Sequence, residues 1–135
     1  MKKQCQARHG YLTKEIMSQQ RKMLIVDDEL DFCALVILML KGESFQIECA
    51  HTLFEASKFL RKDHPEIILL DHNLPDGTGL DYFNKNRKDF DEAKIVLITA
   101  DPSPDLKSQA EAAGLEFAPK PFGLKKIKDI IRTVA

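Results

Sequence analysis

Apolar residues in this chain follow two spacings that alternate from Lys22 onward. Met23-Leu24-Ile25-Val26, Ile67-Ile68-Leu69-Leu70 and Ile95-Val96-Leu97-Ile98 are short unbroken runs, with the length and branching of strands covered on both faces. Phe45, Ile47 and Cys49 alternate with Gln46 and Glu48, which predicts a second strand open on one face and near a sheet edge. Leu115-Glu116-Phe117-Ala118 supplies a short fifth strand. Between these runs the apolar positions fall three and four apart, the period of a helix. The first helix is expected over 29–40, with Glu29 and Asp31 in the turn where the dipole favours acids and Gly42 beyond its end. Its apolar residues run unbroken over 32–40, which predicts deep burial. Thr52 caps a second helix reaching about Lys62, with Leu53, Ala56, Phe59 and Leu60 inward and His64-Pro65 breaking it. A short third helix falls around 80–86. Ser103-Pro104 opens a fourth, running to about Gly114 with Leu106, Ala110 and Ala113 inward. Leu124, Ile127, Ile130, Ile131 and Val134 mark the fifth. Five βα units in succession predict an α/β fold, a doubly wound five-stranded parallel sheet flanked by five helices.

Composition narrows the function classes. The 135 residues suffice for one domain with a core and not for two. The apolar run over 32–40 is about half of the roughly 20 residues a membrane span needs, so no membrane partner is expected. No apolar stretch follows Lys2, Lys3 and Arg8 before Met23, so the start does not read as a secretory signal, and a cytoplasmic location is expected. Cys5, Cys33 and Cys49 are odd in number and lack metal-ligand spacing, which suits free thiols in a reducing compartment. A net charge of -1 conceals an asymmetry: residues 1–22 hold six Lys and Arg against Glu15 alone, leaving 14 basic against 20 acidic from Met23 onward. An acidic folded part argues against nucleic-acid binding by the domain itself. The polar, basic stretch over 1–20 is expected to be a disordered extension, with Met17 offering a second natural start.

Chemistry gathers where the strands end. The first, third, fourth and fifth strands run into Asp27-Asp28, Asp71, Thr99 and Lys120. In an open parallel α/β sheet, ligands bind outside the carboxyl ends of the strands, so these residues are expected in one crevice. Three carboxylates there repel one another unless a cation joins them, and an all-oxygen acidic site suits Mg²⁺. A carboxylate can also attack a phosphoryl group, with the Thr99 hydroxyl and the Lys120 ammonium taking charged oxygens. Taken singly, the Asp27-Asp28 pair suits a solvated helix start, Thr99 a strand end, Lys120 a surface charge and Phe117 a core position. Only the combination is specific. His9, His51, His64 and His72 lack ligand spacing; at most His51 caps a helix and His72 flanks Asp71.

From about Arg21 to Ala135 the sequence resembles the receiver domains of two-component response regulators. The resemblance implies the strand order 2-1-3-4-5, with a receiver domain over 21–135. It makes Asp71 the phosphoacceptor, Asp28 a direct metal ligand, Asp27 a ligand through water, and the Asn73 backbone carbonyl a further ligand. It also makes Thr99 the switch hydroxyl, Phe117 the switch aromatic, and Lys120 the lysine that precedes an often-cis proline. Pro75-Asp76-Gly77 and Gly79 match the family's loop after the acceptor. The donor implied is a histidine kinase or a histidine phosphotransfer protein, with self-dephosphorylation afterwards and a downstream target that the sequence does not name. The chain departs from the family at Pro119, Pro102 and Pro104, which stiffen the loops expected to move. Its last helix lacks the acidic-Leu-x-x-Arg pattern of receivers that dimerise ahead of winged-helix domains. A phosphatase of the haloacid-dehalogenase type also uses a strand-end aspartate, but expects Asp-x-Asp where Asp27-Asp28-Glu29 stands. A receiver-like binding module without phosphorylation is the other alternative, and the intact acceptor set argues against it.

Overall fold

The computed structural model describes residues 21–90 and 92–132. The expectations for 1–20, for Cys5 and His9, and for Val134 lie outside those residues. In chain order the elements are β1 (Arg21–Val26), α1 (Leu30–Met39), β2 (Phe45–Ala50), α2 (Leu53–Lys62), β3 (Ile67–Asp71), β4 (Asn73–Leu74) and β5 (Gly77–Thr78). They continue with α3 (Gly79–Lys85), a one-turn α4 (Arg87–Phe90), β6 (Lys94–Thr99), α5 (Pro104–Ala112), β7 (Glu116–Pro119) and α6 (Leu124–Arg132). Five strands form one parallel sheet in the order β2-β1-β3-β6-β7, the expected order once the two-residue ladder β4-β5 is set aside. That ladder lies in the stretch read from sequence as a plain loop, and α4 was not foreseen at all.

The unbroken apolar runs follow from burial of the sheet on both faces. Side chains alternate along each strand, so Leu24, Val26, Ile68, Leu70, Ile95 and Leu97 meet α2, α3, α4 and α5 through Leu53, Leu60, Phe83, Phe90 and Leu106. Met23, Ile25, Ile67, Leu69, Val96 and Ile98 meet α1 and α6 through Phe32, Val36, Ile127 and Ile130. β2 lies at the edge, as its alternation predicts, with most of its side chains half-buried. The free Cys33 faces the second core, where burial pushes its thiol up to about 12, and its Sγ donates to the Asp27 carbonyl oxygen at 3.8 Å.

The expectation that α1 is deeply buried is wrong. Phe32, Cys33 and Val36 face the core, but Leu30 and Leu38 are 65% and 66% exposed, and Leu35 and Ile37 also reach solvent. A helix laid on a sheet buries one stripe, and an apolar run tells nothing about which residues of a turn fall within it. Two other helix starts match their caps: the Thr52 and Ser103 hydroxyls accept from the Glu55 and Leu106 amides. His51 is not the cap; its own amide donates to the Glu55 carboxylate.

Candidate functional site

Strand register sets the site. Val26 pairs with Leu70, Asp71 with Ile98, and Thr99 with Pro119, so the residues just past β1 and the ends of β3, β6 and β7 align along the carboxyl end of the sheet. Asp27 is fully buried and Asp71 is 4% exposed, while Asp28 is open to solvent. One carboxylate oxygen from each of these three lies within 4.8 Å of the others. Both Asp27 oxygens are engaged: Oδ1 accepts from the Glu29 amide at 2.8 Å and Oδ2 from Lys120 Nζ at 2.7 Å. Asp71 Oδ1 accepts from the Asn73 amide at 3.3 Å, and Asp71 Oδ2 lies 3.8 Å from Lys120 Nζ.

Burial pushes the Asp71 carboxyl up to about 6; Asp27 and Asp28 push the same way, while Lys120 and the Asn73 amide pull against them. Burial opposes the Lys120 charge, but its hydrogen bonds to Asp27 and Glu29 outweigh that and hold its pKa above the ordinary value. One ammonium therefore leaves much of the acidic charge uncompensated. Three hard oxygen donors with that excess fit a divalent cation such as Mg²⁺, with Asp27, Asp28 and Asp71 as the residues able to hold it. Thr99 is fully buried; its Oγ1 accepts from the Asp101 amide at 3.1 Å and its carbonyl accepts from the Lys120 amide at 2.7 Å. Phe117 is half-buried beside the first core, paired in register with Leu97, and the Lys120-Pro121 peptide is cis.

The loop after Asp71 is drawn tight against it. Gly79 donates its amide to the His72 carbonyl at 2.8 Å, and a Cβ at Gly79 would meet the Asp71 carbonyl oxygen at 2.3 Å. No side chain larger than hydrogen fits there without displacing the end of β3. His72 flanks Asp71 in sequence, and burial lowers its pKa, which favours the neutral ring.

Three participants escaped sequence reading. Glu29 Oε1 accepts from Lys120 Nζ at 2.6 Å, and the His51 Nδ1 lies 3.0 Å from the Asp27 carbonyl oxygen. Asp76 spans to α2, where its two oxygens accept from the Leu53 and Phe54 amides at 2.9 and 3.0 Å. Each depends on a tertiary contact that no local pattern announces.

Known proteins are similar to this chain in sequence and fold. Residues 23–132 match the response regulator receiver domain family. The response regulator protein PilR of Pseudomonas aeruginosa is 34% identical over 118 residues, 87% of this chain. The chain spans about a quarter of that relative's length, 26%. Among solved structures, the signal receiver domain of a LuxO repressor protein from Vibrio parahaemolyticus superposes with a TM-score of 0.79 at 25% identity, over 84% of this chain and 88% of that one. A two-component response regulator from Clostridium difficile gives 0.75 at 27% identity, over 84% and 97%. With the sheet order, the strand-end acids and the lysine before a cis proline in place, the chain belongs to the response regulator receiver domain family.

Proposed function

We propose that Asp71 accepts a phosphoryl group from a phosphohistidine on a histidine kinase or histidine phosphotransfer protein, or from a small acyl phosphate. The observation that carries this reading is the approach of Lys120 Nζ to within 3.8 Å of Asp71 Oδ2 beside the Asp27 and Asp28 carboxylates. An Asp71 oxygen bonds to phosphorus as the phosphorus–nitrogen bond of the phosphohistidine, or the phosphorus–oxygen bond of the acyl phosphate, breaks, and the bonding pair leaves with the imidazole or the carboxylate. The product is an aspartyl phosphate. Mg²⁺, when bound by Asp27, Asp28, Asp71 and the Asn73 carbonyl, supplies neutralising charge for the phosphoryl oxygens. Lys120 offers a second positive charge and Thr99 a hydroxyl donor. Self-dephosphorylation reverses the state: a water oxygen attacks phosphorus, the bond to Asp71 breaks, and inorganic phosphate leaves.

The domain is read as a signalling phosphoacceptor and not a turnover enzyme, acting in the cytoplasm, with Thr99 and Phe117 reporting the phosphorylated state to a partner or an output. The sequence over 21–135 forms this receiver unit and 1–20 an extension ahead of it. Among the described residues no helix is long and apolar enough to cross a membrane. Incubation with acetyl phosphate and Mg²⁺ followed by intact-mass measurement is the test. The wild-type chain is expected to gain one phosphoryl mass and Asp71→Asn none; labelling that survives in the variant would overturn the assignment.

A further inference from the structure

The Lys120 ammonium is held away from the acceptor. Its shortest contacts are to Glu29 Oε1 at 2.6 Å and Asp27 Oδ2 at 2.7 Å, against 3.8 Å to Asp71 Oδ2. It also lies over the Phe32 ring, 4.6 Å from the centroid, and that ring stands edge-on to Phe122. Asp27 and Glu29, just ahead of α1, thus bind Lys120 at shorter range than Asp71 does, and Phe32 in the first turn adds an aromatic face. Glu29 differs from Asp27 in one respect: its side chain is 60% exposed, and it is not among the three carboxylates clustered for a cation. Nor does its side chain cap α1, so its replacement removes no helix-start bond.

We infer that Glu29 is a positioning residue that parks Lys120 on the α1 side while Asp71 is unmodified, and so sets the rate at which Asp71 takes a phosphoryl group. The inference rests on Asp71 being the acceptor. A phosphoryl group on Asp71 offers Lys120 a new anionic acceptor, and the 2.6 Å bond to Glu29 competes with that acceptor for the ammonium as the group arrives. Breaking an ion pair with one exposed partner slows the step by a modest factor.

The test compares the 135-residue wild-type chain with Glu29→Ala and Glu29→Asp, the second keeping the charge but shortening the reach. Pseudo-first-order labelling by acetyl phosphate at saturating Mg²⁺ is followed by intact mass. Both variants are expected to label about two- to fivefold faster. The ¹³Cε signal of Lys120, recorded without metal or donor, is expected to move in both. Faster labelling in Glu29→Ala with wild-type behaviour in Glu29→Asp would overturn the proposal, because it shows simple repulsion of an anionic donor. Unchanged or slower labelling in both, or an unmoved Lys120 signal, would also overturn it. If the wild type gains no phosphoryl mass, the acceptor assignment fails and this proposal falls with it; rates indifferent to Glu29 in a protein that does label overturn the proposal alone.

Discussion

Asp71 is placed at a cost to the fold. Its carboxyl is pushed up to about 6 by burial and by Asp27, so between the ordinary carboxylate range and that value the folded chain holds a proton that the unfolded chain has lost. Stability must fall as pH rises through this window, because there the native state binds more protons than the unfolded one. Two pH units at about 1.4 kcal/mol each put the cost on the order of 3 kcal/mol above pH 6 in metal-free protein. Asp71→Asn removes the charge while keeping the shape. In chelator, urea unfolding at pH 7.5 is expected to show the variant more stable by about 1–3 kcal/mol, with the gap closing near pH 4. A gap that does not depend on pH would show that Asp71 is not strained by charge. The acids themselves were legible in sequence, since each stands where an apolar run stops. Their crowding was legible too, as a need for a cation; the Glu29, His51 and Asp76 contacts were not, because each joins residues that only the packed fold brings together.

At the scale of elements, α2 illustrates how much of a boundary is local. Thr52 accepts from the third helical amide, and the sequence alone placed that cap. The first two amides, of Leu53 and Phe54, go instead to Asp76, in the turn between β4 and β5. A short carboxylate more than twenty positions away thus completes the helix start and ties the loop after Asp71 to α2. Burial pushes the Asp76 pKa up, but the hydrogen bonds from the Leu53 and Phe54 amides and its own amide together outweigh it and hold the pKa below the ordinary value, so the stabilisation is present when the carboxylate is ionised and lost in acid. Asp76→Ala is expected to cost about 1 kcal/mol in urea denaturation at neutral pH. Asp76→Asn, with one acceptor left, should lose less. Equal stability of all three proteins would remove Asp76 from the cap. Element type followed from period and run length, strand order from the family resemblance, and Ser103-Pro104 fixed the start of α5. What failed was α1: an apolar run of nine residues reads as fully buried, yet a helix covered on one side leaves Leu30 and Leu38 outside. The one-turn α4 is too short for periodicity to register.

Across the whole molecule, the question is how a change at Asp71 reaches a surface, and the register of β3, β6 and β7 limits the routes. Asp71 pairs with Ile98, so Thr99 is the next residue on the neighbouring strand; Leu97, two residues back, pairs with Phe117. The Thr99 hydroxyl now accepts from the Asp101 amide, which leaves its proton free to be donated to a phosphoryl oxygen. Moving toward that oxygen draws on the stretch between Thr99 and the start of α5. Ser103 is fixed there as a cap and Pro104 sits in the first helical turn, so the adjustment falls on Ala100, Asp101 and Pro102. Phe117, half-buried against the core and paired in register with Leu97, is the aromatic proposed to turn inward as that stretch shifts. Phosphorylation is useful as a signal only if a partner distinguishes the two resulting surfaces. Thr99→Ala should therefore still accept phosphate, more slowly, while passing little of the change onward. With beryllofluoride and Mg²⁺ standing in for the phosphoryl group, the aromatic NMR shifts of Phe117 in Thr99→Ala are expected to fall below about half of those in wild type. Equal shifts in both proteins would show that the route to Phe117 bypasses Thr99 and runs along β7 from Lys120 instead.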